Sequence, residues 1–190
     1  MRLVLSLILA IVVLTFFSLS CTEKGGDNYK PPAFPQGQAG GISPSSVPLQ
    51  NDNEVNLLKE ILSKDPNNLQ ALIQLGNISM DTKRFGEAVD AYGRALEIDP
   101  KNVDVRVDMG TCYRGLGDPL RAIEEYKKAL TYNPQHLYAY KNMGVVLAFD
   151  LHRNEEAIQA FQTYLKLSPN APDALQVSDM INDLKKRSSK

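Results

Sequence analysis

Apolar and polar positions divide the chain into three stretches. Residues 3–19 are apolar almost without interruption, broken only by Ser6, Thr15 and Ser18. Residues 22–52 carry Pro31, Pro32, Pro35, Pro44 and Pro48 among Gly25, Gly26, Gly37, Gly40 and Gly41, a density of breakers that leaves no helical or strand period. From residue 53 apolar residues return at helical spacing. Leu57, Leu58, Ile61 and Leu62 predict a helix over 53–64. Leu72, Leu75, Gly76 and Ser79 fall at i, i+3, i+4 and i+7, and Phe85, Ala88, Val89, Tyr92, Ala95 and Leu96 form a second such face. At the far end Leu175, Val177, Met180, Ile181 and Leu184 predict a helix over 172–187, ahead of a Lys/Arg tail. The folded part of the chain is expected to be all-α.

A period overlies these faces. Pro66, Pro100, Pro134 and Pro169 are spaced by 34, 34 and 35 residues, which sets three copies at 69–102, 103–136 and 137–171. The eighth residue of each copy is Gly76, Gly110 or Gly144, and the seventh is Leu75, Met109 or Met143. Ala88, Ala122 and, after one inserted residue, Ala157 recur further on, followed by Tyr92, Tyr126 and Phe161. Small residues at fixed places predict two helices in close approach, where a larger side chain costs ~1–3 kcal/mol. Asp118 is expected to cap a helix begun by Pro119, and Asn154 to cap one begun by Glu155 and Glu156.

These residues resemble the tetratricopeptide repeat (TPR), a helix-turn-helix unit of ~34 residues. The resemblance implies an all-α superhelix of three repeats, with a half-repeat helix before them and a capping helix after, eight helices in all. It also implies that the first helices line a concave face whose ligand positions fall here at Gln70, Ile73, Asn77, Met80 and Asp81. In the second repeat they fall at Asp104, Val107, Thr111, Arg114 and Gly115, and in the third at Tyr138, Lys141, Val145, Ala148 and Phe149. An apolar stripe (Ile73, Val107, Val145, Phe149) among polar groups suits a peptide or partner helix, although such apolar residues also serve packing between repeats. The carboxylate clamp of chaperone-binding TPRs is not expected, because Ile73 and Asp108 replace its lysine and asparagine. The block from residue 53 also resembles the TPR part of cytochrome c maturation factors, and pilus-assembly lipoproteins share the same layout.

Composition narrows the chemistry. A net charge of −1 gives no field for nucleic acid. Gly110 to Asp118 lacks the lysine and hydroxyl of a phosphate loop. His136 and His152 lie in separate turns without metal-ligand spacing. Glu124, Glu125, Glu155 and Glu156 read as solvated faces, Gly115 and Gly117 as turn residues, and Cys112 as a packed thiol. No catalytic residue, cofactor or metal is expected, and the partner is a protein or peptide.

The leader has a positive start at Arg2, an apolar stretch and a small residue, Ser20, at its end, the form of a secretory signal. A run of ~17 residues is also just long enough for an uncleaved membrane anchor. The stretch Phe17-Ser18-Leu19-Ser20-Cys21 resembles the lipobox of bacterial lipoproteins, with Ser18 where leucine is usual. That resemblance implies removal of residues 1–20, lipid on Cys21 and attachment to a membrane on its extracytoplasmic side. Thr22 after the cysteine implies the periplasmic face of the outer membrane. Residues 21–52 then form a disordered tether with a root-mean-square reach of ~30 Å, leading into a TPR domain at 53–190.

Overall fold

The computed structural model describes residues 47–188, with side chains from Asp52 onward. The expected signal segment, Cys21 and the tether as far as residue 46 lie outside the described residues. Among the described residues eight α-helices follow one another: α1 Val47–Lys64, α2 Leu69–Asp81, α3 Phe85–Ile98, α4 Val103–Gly115, α5 Pro119–Tyr132, α6 Leu137–Val145, α7 Asn154–Leu167 and α8 Ala174–Ser188. Helices α2/α3, α4/α5 and α6/α7 pair within repeats, α1 packs on α2, and α8 packs on α7. The first helix, α1, begins at Val47, six residues ahead of the start that its apolar period gave. At the other end α8 starts at Ala174, two residues after the expected 172.

Each repeat is held by an aromatic ring laid against a glycine. Tyr92, Tyr126 and Phe161 are fully buried. A methyl carbon added at Gly76, Gly110 or Gly144 would stand 2.3, 2.6 or 2.6 Å from those rings, so the glycines are there to let the rings in. Gly115, expected to be a turn residue, ends α4 where an added methyl would stand 2.5 Å from the ring of Phe85 on α3, so it lets one repeat close on the next.

The terminal helices each pack mainly on one neighbour and therefore cover a narrower stripe than their apolar residues span. Val55, Leu58 and Leu62 are buried on α1, while Leu57 faces outward; on α8, Val177, Met180, Ile181 and Leu184 are buried and Leu175 is exposed. Leu57 and Leu175 are thus removed from the expected core.

Turns repeat as faithfully as the core. Asn68, Asn102 and His136, each 34 residues apart, cap α2, α4 and α6 by accepting from the backbone N–H three residues on. Between the helices of each pair Lys83, Gly117 and His152 take left-handed backbone, φ 59°, 79° and 53°. This is the helix-ending turn in which a residue past the C-cap reverses the chain. Asp118 accepts from Arg121 N ahead of Pro119, as expected. Asn154 does not cap; it is the first residue of α7, and Arg153 before it makes no side-chain cap, its guanidinium gripping Glu156 instead.

The extra residue of the third repeat is absorbed inside a helix. Thr82 N and Leu116 N bond to carbonyls four residues back, at Ile78 and Cys112, but Leu151 N bonds five back, to Val146. Residues Val146–Asp150 thus form one π turn continuing α6, which is how an α-helix accommodates a single insertion.

Glu125 departs from the solvated face expected of it. It is buried, 2.7 Å from both Arg106 Nη1 and Lys128 Nζ. Arg106 also donates to the Pro100 carbonyl and lies over the Tyr132 ring. Burying a carboxylate is tolerable only with such pairing.

Candidate functional site

Helices α4 and α6 stand side by side, tied by a side-chain link. Asn142 Nδ2 on α6 donates to Thr111 Oγ1 on α4 at 3.3 Å. Thr111 in turn lies 3.2 Å from the hydroxyl of Tyr126. One repeat earlier, Tyr92 donates to Asn77 Oδ1 at 2.8 Å. Asp108 holds the place in the second repeat that Asn142 holds in the third, 34 residues on. Where the amide of Asn142 completes its rung, Asp108 brings a carboxylate with no hydrogen on it to offer. It forms no hydrogen bond to the described residues.

The expected ligand positions fall into three groups. Gln70, Asn77, Asp81, Asp104, Gly115 and Tyr138 are exposed on this face. Ile73, Met80, Thr111, Arg114, Lys141 and Phe149 are half-buried. Val107, Val145 and Ala148 are closed off in the packing between helices, while Ile73 and Phe149 of the apolar stripe are half-buried.

The cations of this face are already engaged. Arg114 grips Asp150 through two nitrogens, Nη2 to Oδ1 at 3.2 Å being the longer contact. Lys141 Nζ lies 3.0 Å from Asp173 Oδ2 and over the rings of Tyr138 and Tyr164. Tyr164 donates to the other oxygen of Asp173. Burial pushes the Asp173 carboxyl up, but the bonds from Tyr164 and Lys141 outweigh it and hold the group below its ordinary range. His136 accepts the cap with Nδ1, which places its proton on Nε2, 2.9 Å from Asp104 Oδ1. Asp150 and Asp173 lie outside the expected ligand positions. The first is displaced by the π turn, and the second lies at the start of the cap rather than in a repeat.

Among the described residues Asp81 and Asp108 carry no ion pair of this kind, while Asp104 meets the His136 ring. Burial first, then the charge of Asp104, pushes Asp108 up to about 6; His136 pulls it down, and Asp81 adds a smaller push upward. Burial also raises Asp81. Cys112, wholly buried beneath this face, is pushed by burial and by Asp108 to about 12, which leaves it a protonated, inert thiol at neutral pH. Burial likewise raises the hydroxyls of Tyr92 and Tyr126, keeping them neutral donors. Among the described residues no cluster of His, Cys, Asp and Glu suits a metal ion, and no helix is long and apolar enough to cross a membrane.

This architecture is similar to several solved TPR structures. "Crystal structure of MamA" shares 18% identity over 73% of this chain and 91% of that one, with a TM-score of 0.62. "First TPR of Spaghetti (RPAP3) bound to HSP90 peptide SRMEEVD" shares 22% over 64% of this chain and 94% of that one, TM-score 0.59. The Sgt2 TPR domain from Aspergillus fumigatus shares 24% over 64% and 79%, TM-score 0.57. At these identities the likeness establishes the fold. Among curated proteins none matches the chain. Residues 47–174, from the first residue of α1 to the first of α8, match the family described as the cytochrome c-type biogenesis protein H TPR domain. Since that match spans well over half of the chain, the protein belongs to this TPR family.

Proposed function

We propose that the protein is a non-catalytic adaptor which holds a segment of another protein against the face of α2, α4 and α6. The observation that carries this reading is the face itself, where Gln70, Asn77, Asp104 and Tyr138 stay exposed beside half-buried Ile73 and Phe149. Anchoring surface and fixed polar groups in one groove are what peptide recognition uses. A structural relative, the first TPR of RPAP3, is bound to an HSP90 peptide. The dedicated client proposed is a haem-free c-type cytochrome chain, held for haem attachment. The family match supports that client over a pilus or secretin component.

We place the domain outside the cytoplasm, fixed to the periplasmic face of the outer membrane by lipid on Cys21 and carried on the tether that follows. The sequence Phe17 to Cys21 supports that placement. Two or more acyl chains suffice for stable anchoring. Palmitate labelling is expected in the wild type and lost in Cys21→Ser; labelling of the variant would refute the lipid site.

A photo-crosslinking residue tests the groove. Placed at Tyr138 it is expected to trap a haem-free c-type cytochrome chain, and placed at exposed Lys127 on α5 it is not. Equal yields at both positions would end the groove reading.

A further inference from the structure

The charges of this face do not cancel, and their imbalance names a partner chemistry. This inference rests on the groove reading above and goes further, to what the occupant must carry. Arg114 is engaged with Asp150 and Lys141 with Asp173. Asp81 ends α2, while Asp104 and Asp108 lie one turn apart on α4. The groups around them are the neutral Gln70, Asn77 and Thr111, and a His136 whose Nδ1 is occupied by the cap. Asp104 meets the Nε2 side of that ring. No hydrogen bond from the described residues reaches Asp108. The middle of the face therefore presents three carboxylates beside half-buried Ile73 and Met80, with its arginine and lysine committed elsewhere.

We propose that the face of α2 and α4 selects a partner segment bearing lysine or arginine next to its apolar anchors, the cation meeting Asp108 and its neighbours Asp81 and Asp104. A cation brought there pairs with a carboxylate that folding has already stripped of much of its water. The contact is stronger than a surface pair, because the protein has already met the desolvation cost. A segment bearing glutamate or aspartate adds like charge at the same place and is rejected.

Three amphipathic peptides with one Leu/Ala apolar face test this, their polar faces built only of Lys, only of Gln or only of Glu. Fluorescence anisotropy is expected to show the Lys peptide binding at least ~10-fold tighter than the Gln peptide, about 1.4 kcal/mol, with the Glu peptide weakest. Asp108→Asn, which keeps the side-chain shape, is expected to bring the Lys peptide to the level of the Gln peptide. Tyr138→Ala is expected to weaken both. Equal binding of all three peptides keeps the groove and overturns the charge selection. A Lys preference that survives Asp108→Asn and Asp81→Asn together also overturns it. Failure of every peptide to bind overturns the groove reading as well. Self-association by sedimentation, abolished in Asp108→Asn, assigns the face to the basic end of a second copy (Lys185, Lys186, Arg187) and overturns a separate partner.

Discussion

Arg114 reaches 36 residues along the chain to hold Asp150 with two nitrogens. The pair joins the end of α4 to the π turn that closes α6. A bidentate pair between two partly shielded side chains is worth more than an ordinary surface contact. A double-mutant cycle on Arg114→Met and Asp150→Asn is expected to give a coupling of ~1 kcal/mol in urea unfolding. A coupling within error of zero would show that the π turn is held by its packing alone.

The same substitution is expected to have opposite signs at two glycines. Gly76→Ala forces a methyl into the buried Tyr92 ring and is expected to lower stability by ~1–3 kcal/mol. Gly93 lies in the middle of α3 with nothing within 4 Å of an added methyl. There alanine is expected to raise stability by ~0.5–1 kcal/mol through helix propensity and a less free unfolded chain. Thermal melts of the two variants decide, and a Gly76→Ala variant as stable as wild type would contradict the ring-on-glycine packing.

Glu125 and Arg106 form a pair whose side chains are only 8% and 11% exposed. Glu125→Ala leaves a buried guanidinium without its partner and is expected to cost ~3–5 kcal/mol. Replacing both, as Arg106→Met with Glu125→Leu, is expected to recover most of that loss. Chemical denaturation of the single and double variants provides the comparison; equal losses would place the cost in packing instead of charge.

Asp108 makes stability depend on pH in the direction opposite to an ordinary paired carboxylate. In the fold it keeps its proton to about 6, while the unfolded chain releases it near 3.8. The folded state therefore binds more protons between those values, and stability falls as pH rises across that window. Above it the ionised group costs on the order of 3 kcal/mol. Asp173, held low, contributes in the other sense, its stabilisation being lost as pH falls through its folded value. Asp108→Asn is expected to be more stable than wild type at pH 7 and nearly equal to it at pH 4. A constant difference between the two proteins from pH 4 to 7 would rule out Asp108 as the source.

Much of the fold was legible because packing repeats at a fixed period. Gly76, Gly110 and Gly144 with Tyr92, Tyr126 and Phe161 announce the helix pairs before any coordinate is known. The caps at Asn68, Asn102 and His136 share that period, but a histidine replaces asparagine in the third, and the common geometry shows only once each side chain is seen accepting from the backbone. Periodicity also overstates the apolar faces of end helices, as Leu57 and Leu175 show, because a pattern does not record how many neighbours a helix has. The ligand face was legible in position but less so in availability. Val107 and Val145 occupy ligand places by count and packing places by contact. Glu125 read as a surface acid because its partner Arg106 lies 19 residues away on another helix. The inserted residue of the third repeat was visible as arithmetic, while its place inside a helix depended on which carbonyl each N–H chose.

The clasp at Asp173 has a consequence for how the end of the array behaves. Lys141 is the only lysine carried by α2, α4 or α6, and it is fastened, with Tyr164, to the residue just ahead of α8. The carboxylate that neutralises this ammonium thus comes from the segment leading into the cap and not from a repeat. The charge that the third repeat shows on this face is set in part by where the C-terminal helix begins.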